Sequence, residues 1–264
     1  MDFIQLLGYI GALIVGLVLG LIGGGGSILT VPLLVYLLGY NPVVATAYSL
    51  FVVGTSSMVG TYQKYKKGFV DFKIGLAFSF PSFIAVYLSR RYLVPGIPDT
   101  LFSFGDHALT KEMGIMIFFA FIMLLASFSM IKKEKKNKGV ILPSQPYYKT
   151  FVQGLIIGTV TGLIGAGGGF LYVPALVVWA NIPMKKAVGT SLIIVTINSL
   201  IGFIGDVQTL EIEWLFLLSF TLISIIGIIL GVFISKFISG KKLKKSFGFF
   251  VLIMAVYIIY KELK

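Results

Sequence analysis

The sequence GLIGGGGSILTVP at residues 20–32 returns as GLIGAGGGFLYVP at residues 162–174. The offset of 142 residues (162 minus 20) holds without a gap as far as Gly60 and Gly202. Each copy places a glycine cluster inside apolar sequence, where a backbone amide without a hydrogen bond is costly in a membrane. Glycine-interrupted apolar segments at matching places in two halves are typical of binding sites in membrane transporters. The repeat therefore decides both the fold and the candidate site.

The composition indicates an integral membrane protein. Hydrophobic residues make up 57% of the 264 residues, charged residues make up 12%, and the mean hydropathy is +0.98. Soluble domains contain about 45–50% apolar and about 25% charged residues. The chain has too little charge to coat a soluble domain of this size.

The charge balance and the cysteine count narrow the possible partners. The chain has 22 Lys and Arg against 10 Asp and Glu, an excess that is one sign of nucleic-acid binding. Lysine-rich cytoplasmic loops explain the same excess, so we expect the lipid bilayer and no nucleic acid as partner. The chain has no cysteine, which excludes disulfides and thiolate metal sites. Residues 1–21 lack a basic start and a cleavage site, and are predicted as a first span.

Apolar length predicts ten membrane segments, since a helix of about 20 residues crosses the hydrocarbon layer. They lie near 3–22, 28–40, 43–63, 72–92, 113–131, 147–164, 170–181, 185–205, 214–236 and 246–261. The segments 28–40 and 170–181 are too short for ordinary spans and are predicted as short broken helices after the glycine clusters. We predict an all-α integral membrane protein with two transmembrane repeats, 1–131 and 147–264, joined by a cytoplasmic linker, 132–146.

The lysines predict the orientation. If all ten segments cross and the linker is cytoplasmic, most basic residues lie inside and most acidic residues outside, with Arg90, Arg91 and Asp206 outside. Five crossings per half invert the second half relative to the first. If the two short helices dip in and return, eight full spans remain, the halves are parallel, and the charge sorting is lost. The segment 92–111 has no counterpart in the second half and is predicted as an outside loop with a turn of helix.

Consecutive glycines let a helix unwind at a break. Amides at the start of the next half-helix, at the positive end of its dipole, bind an anion without a charged side chain. The candidates are Gly23, Gly24, Gly25, Gly26, Ser27, Gly165, Gly167, Gly168 and Gly169. The alternative is close helix packing through small residues, which is our interpretation of Gly16, Gly20, Gly158 and Gly162. Neither copy continues into Gly-Lys-Ser/Thr, which excludes a nucleotide-binding loop.

The helix after each break carries a stripe of small and hydroxyl-bearing residues on one face. The stripe is Ala45, Ser49, Val53, Ser57 and Gly60, and the residues at the 142 offset are identical: Ala187, Ser191, Val195, Ser199 and Gly202. Ser56 and Asn198 lie beside it at corresponding positions. The stripe either lines a pathway and donates hydrogen bonds to an oxyanion, or holds helices together. The sequence leaves both interpretations open.

Groups for catalysis or ion coupling are scarce in the predicted spans. The one histidine, His107, falls in the outside loop, and no metal-ligand spacing is present, so we expect no enzyme, cofactor or metal site. Asp71 and Lys73 begin a span at the interface, where a capping or topological role is favoured over transport. The spans are predicted to be nearly free of ionisable groups, with no buried carboxylate relay.

The doubled glycine motif resembles the sulfite exporter TauE/SafE family of membrane permeases over essentially the whole chain. Ala-x-x-x-Ser-Leu follows each copy, and GFVDF at 68–72 is similar to a short loop of that family. The resemblance implies transport of sulfur-containing anions such as sulfite, thiosulfate or organosulfonates. It carries over to Gly23–Ser27 with Pro32 and to Gly165–Gly169 with Pro174. Gly169 stands where the first copy has Ser27, so the two copies share no side-chain hydroxyl there.

The sequence thus predicts a transporter of a small sulfur-containing anion that works by alternating access around a midplane site at the two breaks. A lysine-rich inside attracts anions and favours export. The alternative is a passive anion channel built from the same pore residues. The particular anion, the coupling ion and the oligomeric state do not follow from the sequence.

Overall fold

The structure is a computed structural model that describes residues 3–24, 26–104, 107–131, 147–165, 167–178, 180 and 182–263. Gly25 and the predicted linker 132–146 lie outside the described residues, and so does the side chain of Ser27. The helices follow the predicted spans closely, and six are long and apolar enough to cross a membrane. The predicted all-α integral membrane fold is confirmed.

The helices and strands are given in chain order. The first half contains α1 (Phe3–Ile22), α2 (Ser27–Pro32, continued as a π-helix over Leu33–Leu37), α3 (Pro42–Lys66), α4 (Phe72–Leu88, continued as a π-helix over Ser89–Leu93), α5 (Val94–Gly96), β1 (Thr100–Phe104), β2 (His107–Thr110) and α6 (Lys111–Ile131). The second half contains α7 (Tyr147–Ile164), α8 (Gly169–Val178), α9 (Met184–Val207), α10 (Trp214–Ile234) and α11 (Gly240–Glu262). The six candidate spans are α1, α3, α4 with its extension to Gly96, α6 as far as Phe128, α9 and α10.

Local signals set the helix starts. The Asn41 side chain accepts a hydrogen bond from the Val43 amide at 2.8 Å, and Pro42 occupies the first turn of α3. Asp71 caps α4 by accepting from the Ile74 amide at 3.2 Å. The capping role predicted for Asp71 is therefore present in the structure.

The segment 92–111 differs from the prediction. The helix continues to Gly96, and a β-hairpin follows in which Phe104 lies opposite His107. The reason is the sequence itself, because Thr100–Phe104 carries the β-branched and aromatic residues that favour strands. The prediction of a loop with only a turn of helix was wrong here.

The first helix of each half packs against a helix of the other half. α1 packs along α10, and α7 packs along α4. A methyl group built on Gly16 would lie 1.9 Å from the Ser224 carbonyl oxygen, and one on Gly158 would lie 2.5 Å from that of Ser82. The same close approach is seen one turn further along each helix, at Gly20 and Gly162. The packing interpretation of these glycines is confirmed, and the 142 offset relates the two contacts.

Helices α3 and α9 cross the centre of the molecule side by side and antiparallel. The ring centroids of Phe51 and Phe203 lie 4.9 Å apart with the rings tilted, and Gly54 lies against Ser199. α4 packs beside α9 and runs parallel to it, since ion pairs join the starts and the ends of the two helices. α3 packs on α10 in the same way that α9 packs on α4, and α6 pairs with α11. This arrangement brings both glycine clusters against the central pair α3 and α9.

Candidate functional site

The two glycine clusters interrupt helices as predicted. α1 ends at Ile22 and α2 begins at Ser27, while α7 ends at Ile164 and α8 begins at Gly169. Four glycines in the clusters have a positive φ that other residues rarely adopt: Gly23 at 82°, Gly165 at 68°, Gly167 at 63° and Gly168 at 68°. The glycines are therefore required by the backbone conformation of the breaks.

The breaks meet each other beside the middle of α3 and α9. A methyl group on Gly24 would lie 2.3 Å from the Cα of Gly169, and the reverse distance is the same. One on Gly167 would lie 2.6 Å from Ser199 Oγ and within about 3.3 Å of Val53 and Val195. Val53 and Val195 lie halfway along their helices, so the breaks approach each other beside the middles of α3 and α9.

Three serines of the stripe have hydroxyls without a partner among the described residues: Ser199 at the second break, and Ser49 and Ser57 one turn before and after Val53 on α3. Ser49, Ser57 and Ser199 are fully buried, and within the described residues their Oγ atoms have no hydrogen-bond partner. Buried polar groups in proteins are nearly always hydrogen-bonded, so each such atom requires an explanation. A polar ligand or water at the breaks would supply the missing partners.

Ser56 and Ser191, two other predicted site residues, already have partners. Ser191 Oγ donates to the Gly23 carbonyl at 2.6 Å and so ties α9 to the first break. Ser56 Oγ donates to Ser224 Oγ at 3.0 Å and joins α3 to α10. For Ser56 and Ser191 the structure favours the role of holding helices together.

The two polar atoms of the Asn198 side chain differ in their hydrogen bonding. Its Nδ2 donates to Ser82 Oγ at 2.8 Å and to the Tyr172 hydroxyl at 2.7 Å, and Ser82 and Tyr172 are hydrogen-bonded to each other. Its Oδ1 has no partner among the described residues. The pair Asn198–Ser82 matches Ser56–Ser224 at the 142 offset, so one contact recurs in both halves.

The start of α8 offers backbone donors to the same place. The first hydrogen bonds of this helix run from the amides of Leu171 and Tyr172 to the Gly168 carbonyl. The amides that precede Leu171 lie before the first intrahelical bond, at the positive end of the helix dipole. Gly26 has the corresponding place at α2, where its carbonyl accepts from the Leu29 amide at 3.0 Å.

A buried ion pair was missed by the sequence analysis. Arg90 and Asp206, both predicted on the outer side of the membrane, are 0% and 3% exposed, with Arg90 Nη2 2.6 Å from Asp206 Oδ2. Arg90 also donates to Thr46 Oγ1 at 3.1 Å and to the Gly162 carbonyl at 3.3 Å. The prediction of spans nearly free of ionisable groups is corrected here. Because the π-helical turn extends α4 past Leu88, Arg90 remains among helices instead of reaching a loop.

A second ion pair joins the other ends of α4 and α9. Lys186 Nζ lies 3.0 Å from Asp71 Oδ2, and the Asp71 amide donates to Thr190 Oγ1 at 2.9 Å. Partial burial raises the pKa of Asp71, but the hydrogen bonds from Lys186 and the Ile74 amide outweigh it and hold the pKa below its ordinary value. Lys73, which was grouped with Asp71 in the sequence, is exposed.

Half-helices that meet at glycine breaks between membrane-spanning helices define a multi-pass membrane protein of the transporter class. The chain belongs to the sulfite exporter TauE/SafE family, since that family's sequence model matches residues 9–258. It is a membrane transporter of the cell membrane, and this membership points away from an enzyme.

Curated relatives agree with this assignment. A probable membrane transporter protein of Xylella fastidiosa (strain 9a5c) is 28% identical over 254 residues, which cover 94% of this chain and 92% of the relative. The probable membrane transporter protein YunE of Bacillus subtilis (strain 168) is 30% identical over 280 residues, covering 94% and 95%. A Haemophilus influenzae probable membrane transporter protein is 28% identical and covers 98% of this chain and 99% of its own. No solved structure matches the chain significantly.

Proposed function

We propose that the protein carries a small sulfur-containing oxyanion, such as sulfite, thiosulfate or an organosulfonate, through a site at the meeting point of the two glycine breaks. The observation that carries the proposal is Ser199, whose buried and unpartnered hydroxyl faces Gly167 just before α8 begins. The family name adds the sulfur-containing class of substrate.

The chemistry of the site suits an oxyanion that must also be released. Ser199, Ser57 and Ser49 are neutral donors, and the amides at the start of α8 add a partial positive charge. Donors of this kind hold an anion by hydrogen bonds without an ion pair at the site. A binding site for transport has to be favourable enough to fill and weak enough to empty. Neutral donors at a helix start meet both requirements.

Two inverted repeats, 1–131 and 147–264, are part of the proposal. Their support is the 142 offset, the matched contacts of α1 with α10 and of α7 with α4, and the antiparallel pair α3 and α9. An inverted pair places equivalent breaks on opposite approaches to one central site. The charge distribution of the sequence places the Asp71–Lys186 end inside and the Arg90–Asp206 end outside.

Alternating access then requires movement between groups of helices that each contain parts of both halves. Because α1 is packed on α10 and α7 on α4 through glycines, those pairs move as units. We therefore propose that α1 with α10 rocks against α4 with α7. The contact that opens and closes is the antiparallel seam of α3 and α9, on which Ser57 and Ser199 lie.

The test is flux in liposomes that contain the purified protein. The panel is sulfite, thiosulfate, sulfoacetate, taurine and phosphate, each with and without a pH gradient. Saturable flux of one or more sulfur-containing anions supports the proposal. Flux that rises linearly with concentration would identify a passive channel, and absence of flux for the whole panel would exclude this substrate class.

A further inference from the structure

The 142 offset pairs two buried charges at opposite ends of the α3 and α9 pair. Lys64 corresponds to Asp206, and their exposures are 7% and 3%. Asp206 is neutralised by Arg90, whereas the position that corresponds to Arg90 holds Val232. Within the described part of the chain, no carboxylate forms an ion pair with Lys64. One end therefore has a neutral buried pair and the other a buried ammonium without a counter-charge.

The surroundings of Lys64 supply hydrogen-bonding groups. Its Nζ donates to Ser235 Oγ at 3.0 Å, and that hydroxyl donates to the Val232 carbonyl at 2.8 Å. Lys67 donates to the same carbonyl at 3.4 Å. An ammonium has three donors, and among the described residues Ser235 takes one from Lys64. The ammonium thus keeps donors for a further acceptor.

Further lysines lie near Lys64 at this end of α3. The charges of Lys67 and Lys185 act on Lys64, and the charge of Lys236 acts on Lys67. Burial, and then the charge of Lys236, lower the pKa of Lys67 below its ordinary value. The carboxylate of Asp71, at this end of α4, is already paired with Lys186. A bound anion would stabilise a buried ammonium among like charges.

We propose that the ammonium groups of Lys64 and Lys67 form a binding site for a small oxyanion at the lysine-rich end of α3, separate from the glycine breaks. Ser235 accepts a hydrogen bond from Lys64 and so positions its ammonium group. Free sulfite or phosphate and the phosphate group of an anionic lipid share the required chemistry, a compact negative charge with several acceptor oxygens. The lysine distribution predicts that this end is cytoplasmic. A role as the loading site for export rests on the proposed function, whereas the binding itself does not.

Titration calorimetry of the purified protein in a neutral detergent tests the binding, with sulfite and with phosphate as probes. The titrations are carried out in the Ser199→Ala variant. This substitution weakens the proposed site at the breaks, so the remaining binding reports the second site. Lys64→Gln is expected to reduce the affinity about tenfold or more, because it removes a charged hydrogen bond. Lys64→Arg should retain the affinity. Lys66→Gln is the matched control, since Lys66 is exposed and lies over the ring of Tyr62 at 4.5 Å.

Native mass spectrometry with phosphatidylglycerol separates the two sources of the anion. Lipid that stays on the wild type and leaves the Lys64→Gln variant assigns the site to a headgroup. If Lys64→Gln fails to fold, Ser235→Ala takes its place, with a several-fold loss of affinity expected. Equal probe affinity and equal lipid retention in the variants and in Lys66→Gln would overturn the site. Binding that needs Lys64 without any flux would refute the transport proposal alone, and flux with binding independent of Lys64 would refute this site alone.

Discussion

Gly24 and Gly169 lie against each other so closely that a methyl group on either would come within 2.3 Å of the Cα of the other. They belong to clusters 142 residues apart; Gly24 lies in the break between α1 and α2, and Gly169 is the first residue of α8. The point at which two interrupted helices meet is thus built from residues without side chains. In the function that we propose, the groups that bind the substrate there are the backbone itself and the hydroxyl of Ser199.

Gly167→Ala should reduce flux about tenfold or more while the protein still folds. The new methyl group would displace Ser199 Oγ, and alanine at a φ of 63° adds about 1–2 kcal/mol of backbone strain. Initial rates of substrate uptake in liposomes measure the loss. Gly96→Ala is the control, because nothing lies within 4 Å of its added methyl group and its φ is not positive. Wild-type rates in Gly167→Ala would contradict a site at the second break.

Ser199→Ala and Ser56→Ala should distinguish a serine that binds the substrate from a serine that holds two helices together. Ser199 has no hydrogen-bond partner among the described residues, so its loss should leave thermal stability unchanged and weaken substrate affinity about tenfold. Ser56 is bonded to Ser224, so its loss should cost about 1 kcal/mol of stability and leave affinity unchanged. Calorimetric titration and thermal unfolding of both variants provide the comparison. The reverse pattern would favour the stripe as helix contact alone.

Breaking the buried pair of Arg90 and Asp206 should destabilise the protein strongly. Arg90→Met leaves Asp206 buried without its partner, and such a loss costs about 3–5 kcal/mol. The double variant Arg90→Met/Asp206→Leu should recover most of that loss, because no unpaired charge remains. Thermal unfolding in detergent measures both variants. A double variant no more stable than Arg90→Met would show that the hydrogen bonds to Thr46 and Gly162 dominate.

Asp71→Asn should lower stability at neutral pH by about 1 kcal/mol or less, since Asp71 and Lys186 are both partly exposed and screened by solvent. The pKa of Asp71 is lowered in the folded protein, so its stabilisation is present above the ordinary aspartate pKa of about 4 and is lost as the pH falls through the folded value. Unfolding of wild type and variant across this range should therefore converge in acid. A difference that persists there would mean that helix capping, and not the ion pair, is responsible.

The helices were predictable because each one corresponds to an apolar run of sequence between polar residues. The predicted ends of α1, α7 and α9 agree with the structure within two residues. The glycine breaks were found in the same way, and their contact with each other was expected from the repeat. Local composition carries this information, so a single sequence was sufficient.

The ion pair of Arg90 and Asp206 was not predictable, and neither was which polar residues of the stripe form hydrogen bonds. Arg90 falls in the last turn of the predicted segment 72–92, where a charged side chain usually reaches water, and only the packing of α4 against α9 shows that it is buried. Ser57 and Ser56 are neighbours of the same type, yet only Ser56 meets a partner, because Ser224 lies on a distant helix. Such differences depend on tertiary contacts that the spacing of residues does not contain.

Uptake of sulfite and thiosulfate into liposomes, measured against concentration for wild type and Ser199→Ala, tests the central claim most directly. We predict saturable uptake in the wild type and a half-saturating concentration about tenfold higher in the variant. Wild-type uptake that never saturates, or identical curves for the two proteins, would contradict an oxyanion site at the meeting point of the two breaks.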